Sequence, residues 1–202
     1  MKKTITLLSL VILTTVVLIQ SCGGHFTNNE YLGELPSLAK KYQNKIADKE
    51  EAIKKCTDMQ ETFKLDKENL ILHEKYEEEV KEFAKMNDLT DKSIPFEGLK
   101  DQAFVVESVK VKDVNTYGLN LAFNLDIKKD IKERNLFFYF KAVDGEGADI
   151  QNSKAVAMTA RIPLTAGVKC EAIGTWKILK TVAGMENFAK LVEITQEEYD
   201  AK

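Results

Sequence analysis

The sequence is short of the residues that usually announce a chemistry. Three cysteines in 202 residues are too few for a disulfide-dense scaffold. Three prolines and ten glycines exclude a collagen-like chain or a proline-rich disordered one. There are only two histidines, His25 and His73. They lie far apart, without a cysteine or carboxylate at metal-ligand spacing, and any Ser-His-Asp or Cys-His arrangement would have to recruit one of them. The absence of a CxxC pair argues against redox work. A formal net charge of −3 leaves no basic surplus for holding nucleic acid. Long apolar runs are also missing, apart from one at the start.

That run begins after Lys2 and Lys3 and extends from Ile5 to Ile19, broken by Thr6, Ser9, Thr14 and Thr15. At about 15 residues it is shorter than the roughly 20 needed to span a bilayer, and it reads as a signal peptide. Its end, Ile19-Gln20-Ser21-Cys22-Gly23, resembles the lipobox of bacterial lipoproteins: an aliphatic residue, a small residue, the cysteine, then glycine. The resemblance implies removal of residues 1–21 and acylation of Cys22. Each buried methylene of an acyl chain is worth roughly 0.8 kcal/mol, so two or three chains would hold the protein at a membrane. The expected mature chain carries 27 basic and 32 acidic side chains, a net −5. Residues 22–36 would form the lipidated tether. No acidic sorting run follows Cys22, so the membrane and its side stay open.

From Ser37 to Lys92 there is no glycine and no proline, and 12 basic side chains stand beside 14 acidic ones. Residues 37–92 are therefore expected to be helical, with Pro36 in a first turn. Leu35, Leu38, Ala39, Tyr42, Ile46, Ile53, Cys56 and Phe63 mark a narrow apolar seam, and Leu70, Leu72, Tyr76, Val80, Phe83 and Ala84 continue it in a shifted phase. A single unbroken helix over residues 37–88 would be about 78 Å long. The alternative is a helical hairpin folding back near residues 63–67, with Asp66 as a candidate cap. A single helix of that length would be a coiled coil in need of a partner.

Residues 93–102, with Pro95 and Gly98, read as a linker. Beyond them the period becomes two. Ala103, Val105, Val109 and Val111 share one parity, and Leu119, Leu121, Phe123, Leu125 and Ile127 alternate cleanly with polar or small residues. Residues 136–143, LFFYFKAV, are apolar on both parities, as in a central strand covered on both faces. Val156, Met158, Ala160 and Ile162 suggest another strand, followed by Val168, Cys170 and Ala172, then Gly174–Leu179, then Phe188–Ile194. The expected fold is α+β: a long helix or helical hairpin, then an antiparallel immunoglobulin-like β-sandwich over residues 103–196. This layout is similar to that of envelope lipoproteins of Gram-negative bacteria, such as those of the Bacteroidota.

Few residues stand out as chemistry. Asp144, Glu146 and Asp149 cluster in an oxygen-rich turn, but their spacing matches no EF-hand loop and Asp-Gly turns are common in hairpins. Nothing selects a carboxylate pair for glycoside hydrolysis. Cys56 and Cys170 remain after lipidation. A disulfide between them would close a loop worth about 4.7 kcal/mol by loop entropy, and the alternative is two buried thiols. Trp176, among Gly174, Thr175 and Lys177, is the candidate ligand-contact residue, with core packing as its other reading. No metal or cofactor is expected. Taken together, the residues point to a non-enzymatic, lipid-anchored envelope lipoprotein acting as a protein-interaction or assembly module, on the outer membrane or the periplasmic face. Its partners would be the membrane, through the anchor, and an envelope protein or a second copy, through the helical segment. The alternative is small-ligand or glycan binding by the loops of the β-sandwich.

Overall fold

The fold is described from a computed structural model, for residues 30–100, 102–177 and 185–201. It begins with two antiparallel helices, α1 (Glu30–Lys55) and α2 (Met59–Met86). The seam residues Leu35, Ala39, Tyr42 and Ile46 of α1 are buried, as are Tyr76 and Val80 of α2, because their three-to-four spacing puts each set on one face. The hairpin forms and the single long helix does not. Its turn, however, falls at Cys56–Asp58, seven residues or more before the expected place. Asp58 supplies the reason: its Oδ1 accepts from the Glu61 N–H at 2.8 Å and its carbonyl oxygen accepts from the Thr62 hydroxyl at 2.7 Å, capping α2. Asp66 lies in the middle of α2. Helix α1 also begins before Pro36, which sits inside it.

Seven strands follow: β1 (Phe96–Glu97), β2 (Phe104–Asn115), β3 (Gly118–Ile127), β4 (Phe137–Asp144), β5 (Ala155–Thr159), β6 (Lys169–Trp176) and β7 (Phe188–Ile194). A short helix, α3 (Gln196–Asp200), ends the described chain. All seven strands belong to one sheet in the order β1-β7-β4-β5-β6-β3-β2, antiparallel except for β1 with β7. The expected immunoglobulin-like sandwich of two facing sheets is thus replaced by one continuous ladder curled toward a barrel. Alternation reveals which face of a strand is buried, not whether a second sheet or the far side of the same one covers it.

The curl is closed by residues 91–97. Asp91 and Ile94 N–H groups donate to the Val111 and Val109 carbonyls at 2.8 and 2.9 Å, and Val111 N–H donates to the Lys92 carbonyl at 2.9 Å. The chain then crosses to the opposite edge, where Leu191 N–H donates to the Pro95 carbonyl at 2.9 Å and Phe96 pairs with Leu191. One short segment therefore clasps both outer strands. The stretch expected as a linker overlaps this clasp.

Inside, Phe123 meets Phe138, Phe140 and Phe96 with ring centroids 5.0, 5.0 and 5.6 Å apart, and Phe104 meets Phe138 at 5.5 Å. The clean alternation of β3 holds: Leu119, Leu121, Phe123, Leu125 and Ile127 are all buried. Two other parities differ from expectation. In β2, the register shift at Val106/Ser108 lets Phe104 face inside and Val105 outside before Val109 and Val111 turn inward, and the second shift, at Val111/Asp113, turns Val114 inward. In β5, Ala155, Ala157 and Thr159 face inward while Val156 and Met158 are exposed, because Phe140 crowds this wall. A Cβ on the neighbouring Gly174 would already lie 3.1 Å from the Phe140 ring and from the Ala157 Cβ. Strand β4 is central but only partly covered outside: Tyr139 packs on Tyr199 of α3 at 4.7 Å, and Phe137 is exposed.

Candidate functional site

The hairpin is fastened where it meets the barrel. Tyr42 and Tyr76 stack with centroids 5.3 Å apart, and the Tyr76 hydroxyl donates to the Thr116 carbonyl at 3.3 Å, in the β2–β3 turn. The Tyr42 hydroxyl donates to Glu79, which also pairs with Lys41 at 3.0 Å. Glu79 thereby raises the Tyr42 hydroxyl to about 12, with burial adding to the effect, while the donated hydrogen bonds hold the Glu79 carboxyl below its ordinary value. Farther out, Lys49 pairs with Glu68.

From Tyr76 back to Met59, α2 extends about 25 Å at 1.5 Å per residue, so the outer half of the hairpin projects beyond the β2–β3 turn. Its outward face is not polar throughout. Met59, Phe63 and Leu70, separated by four and seven residues and so on one side of the helix, are 86%, 75% and 58% exposed. Ile71 adds to them on the adjoining strip. Singly exposed apolar residues need no explanation, but an apolar row at the free end of a projecting hairpin is a surface suited to a partner.

The residues singled out from the sequence are dispersed. Cys22 and His25 lie outside the described residues. Cys56, in the inter-helix turn, and Cys170, on β6 opposite Leu125, are both free thiols. The hairpin carries Cys56 outward from the β2–β3 turn, whereas Cys170 lies six residues down β6 from Trp176, which pairs with Leu119 next to that turn. Their separation is on the order of 40 Å, against the roughly 7 Å between Cα atoms that a disulfide tolerates. The possible cross-link is therefore not made in this fold, and the two thiols are free, as in the alternative reading. Burial raises the Cys170 thiol above its ordinary value. Trp176 is 1% exposed, with its ring 5.2 Å from that of Phe188, so it is a core residue and not a ligand contact at the surface. A tryptophan amid small and polar neighbours can still face inward when the strand alternates, as β6 does. His73 is exposed on α2. Asp144 is occupied by its own turn, its Oδ1 accepting from the Glu146 and Ala148 N–H groups at 2.9 and 2.8 Å, and Asp149 pairs with Lys141 at 2.8 Å.

One buried charged group escaped the sequence reading. Glu193 on β7 pairs with Phe140 and shares its inward face, 7% exposed, with Oε2 accepting from the Leu99 N–H at 3.1 Å. Burial raises its carboxyl above the ordinary range, and the Leu99 hydrogen bond offsets part of that. Its only signal in the sequence is an acidic residue two positions after Leu191, on the same parity of the strand.

The molecule belongs to a simple architectural class, a clasped β-barrel with a projecting helical hairpin. No family model, no curated protein and no solved structure matches the chain.

Proposed function

We propose that the protein is a lipid-anchored, non-enzymatic component of a bacterial cell envelope that acts as a protein-interaction module through its helical hairpin. The supporting observation is the exposed row Met59, Phe63 and Leu70 at the end of a hairpin that is fastened at its other end by Tyr42, Tyr76 and Glu79. A fixed base and a free apolar tip suit a projecting docking element. The lipobox at Cys22 supports the anchor, and among the described residues no helix is long and apolar enough to cross a membrane.

Each half of this reading has its own test. Metabolic labelling with palmitate is expected to mark the wild-type chain and not Cys22→Ala, which should leave the membrane fraction; equal labelling of the two would remove the anchor. A photo-crosslinker at position 63 is expected to yield one discrete adduct in envelopes, lost in Met59→Ser/Leu70→Ser, with light scattering showing whether the adduct is a second copy. No adduct from position 63, together with a strictly monomeric protein, would end the interaction reading.

A further inference from the structure

The end of the barrel away from the helices carries the β3–β4 and β5–β6 loops, residues 128–136 and 160–168. The chain has only two arginines, Arg134 and Arg161, and each loop contributes one to the same cleft of about 460 Å³. Ile131, Ile162 and Leu164 line it as well.

The two loops are held to each other by hydrogen bonds. Ile131 N–H donates to the Leu164 carbonyl at 2.9 Å, Ile162 N–H to the Arg134 carbonyl at 3.1 Å, and Ala166 N–H to Asp130 Oδ1 at 2.9 Å. At the base, Thr159 N–H donates to the Leu136 carbonyl and Leu136 N–H to Thr159 Oγ1, both at 3.0 Å. The cleft is thus formed before any ligand arrives.

Its electrostatics are one-sided. The Ile162 N–H bond to the Arg134 carbonyl draws the two loops together there, so that Arg134 and Arg161 line one cleft from facing loops. Like charges lining one cleft repel each other unless an opposite charge lies between them. Every ion pair found among the described residues uses a lysine, and neither guanidinium has a partner there. Lys132 lines the same cleft, with Glu133 as the opposing acid. In a chain of net charge −3 this is a local basic pole.

We propose that this cleft binds a small organic oxyanion, a phosphate or carboxylate carried on an apolar body. The planar forks of two arginines match such oxyanions in a way that lysine does not, and an anion between them turns their repulsion into attraction. The aliphatic lining of Ile131, Ile162 and Leu164 takes the apolar body. The volume is that of a small-molecule site. This inference is independent of the hairpin and of the anchor.

Calorimetric titration of the full chain at low ionic strength, with phenyl phosphate, benzoate, inorganic phosphate and benzyl alcohol as probes, tests it. Phenyl phosphate and benzoate should bind, inorganic phosphate at least about tenfold more weakly than phenyl phosphate, and benzyl alcohol not measurably. Arg134→Gln and Arg161→Gln should each weaken phenyl phosphate about tenfold or more, and Lys112→Gln, whose lysine pairs with Glu171 elsewhere on the sheet, should not. Both arginines are exposed, so the near-ultraviolet signal of the buried Trp176 should stay native in the variants. Affinity undiminished in the double arginine variant, benzyl alcohol binding as tightly as phenyl phosphate, or no binding of either organic anion up to about 10 mM would overturn the proposal. Inorganic phosphate binding as tightly as phenyl phosphate would overturn the apolar part of the ligand.

Discussion

Replacing Gly118 with alanine should be among the most damaging single-methyl changes in this protein. Gly118 opens β3 at φ +154°, a backbone conformation that side chains rarely adopt, and it lies against the backbone of β6. An added Cβ would collide with the Trp176 carbonyl oxygen and sit 2.9 Å from the carbonyl carbon and 3.0 Å from the Lys177 Cα. These are backbone atoms, so no side chain can swing aside. The strained backbone costs about 1–3 kcal/mol, and forced repacking at a tight contact adds about 1–3 kcal/mol. A total of about 4 kcal/mol is a large share of a typical 5–15 kcal/mol stability, and for a domain of this size it lowers Tm by roughly 8–16 °C. Two other glycines separate the contributions. Gly147 has φ +85° with open space around it, so Gly147→Ala should show strain alone, about 1 kcal/mol. Gly145 has neither a positive φ nor a neighbour within 4 Å, and Gly145→Ala should change little. Chemical denaturation followed by the emission of the single, buried Trp176 reads all three. A Gly118→Ala protein as stable as Gly145→Ala would refute the packing argument, and one no worse than Gly147→Ala would refute its steric half.

Three further outcomes are expected. The folded-state carboxyl of Glu193 is raised, so its stabilising contribution is present below the ordinary carboxylate value of about 4.3 and is lost as pH rises through the folded value. Glu193→Gln keeps an acceptor for Leu99, so it should be about 1 kcal/mol more stable than wild type at pH 7 and converge with it below about pH 4; urea denaturation at several pH values would show this, and a variant less stable at pH 7 would contradict it. The Tyr42 hydroxyl, raised to about 12, should titrate well after an ordinary tyrosine by ultraviolet difference absorbance, and stability should fall as pH rises between about 10 and 12. Glu79→Gln should return that titration toward 10, and no movement would remove Glu79 as its cause. Finally, the Asn69 side-chain oxygen is buried without a hydrogen-bond partner, so Asn69→Leu should raise stability by about 1 kcal/mol in thermal unfolding; a lower Tm would show that the amide is used.

Which parts of this fold were legible in the sequence follows from where the physics is local. The hairpin helices and β3 could be read because their burial repeats with the period of the backbone itself: Tyr42 and Ile46 on one helix face, Leu119 through Ile127 on one strand face. The turn at Cys56–Asp58 was present as Asp58 and Glu61 at capping spacing, but the phase change near Phe63 drew attention further along. Phe63 breaks the seam because it faces outward. The parities of β2 and β5 depend on bulges and on what Phe140 leaves room for, and neither is written in the strand concerned. Trp176 was misleading for the same reason, since its surroundings in sequence are polar while its surroundings in space are Phe188 and the start of β3. The arginine cleft was half visible: two arginines in the whole chain can be counted, but their meeting needs the β3–β4 and β5–β6 loops to be bonded to each other.

The clasp at residues 91–97 also sets an order of events for the newborn chain. Phe96 can find Leu191 only after all the other strands have been made, so the seam of the barrel remains open until the last strand arrives, even though residues 91–94 can cover the β2 edge as soon as β2 exists. Open edges are templates for pairing with other chains, and closure withdraws them. Because Ser93 and Ile94 bond to one edge while Pro95 and Phe96 bond to the other, a break anywhere in this short stretch reopens the seam without disturbing a single buried strand of the wall. A proteolytic nick there would leave a protein with most of its secondary structure and a new tendency to polymerise edge to edge.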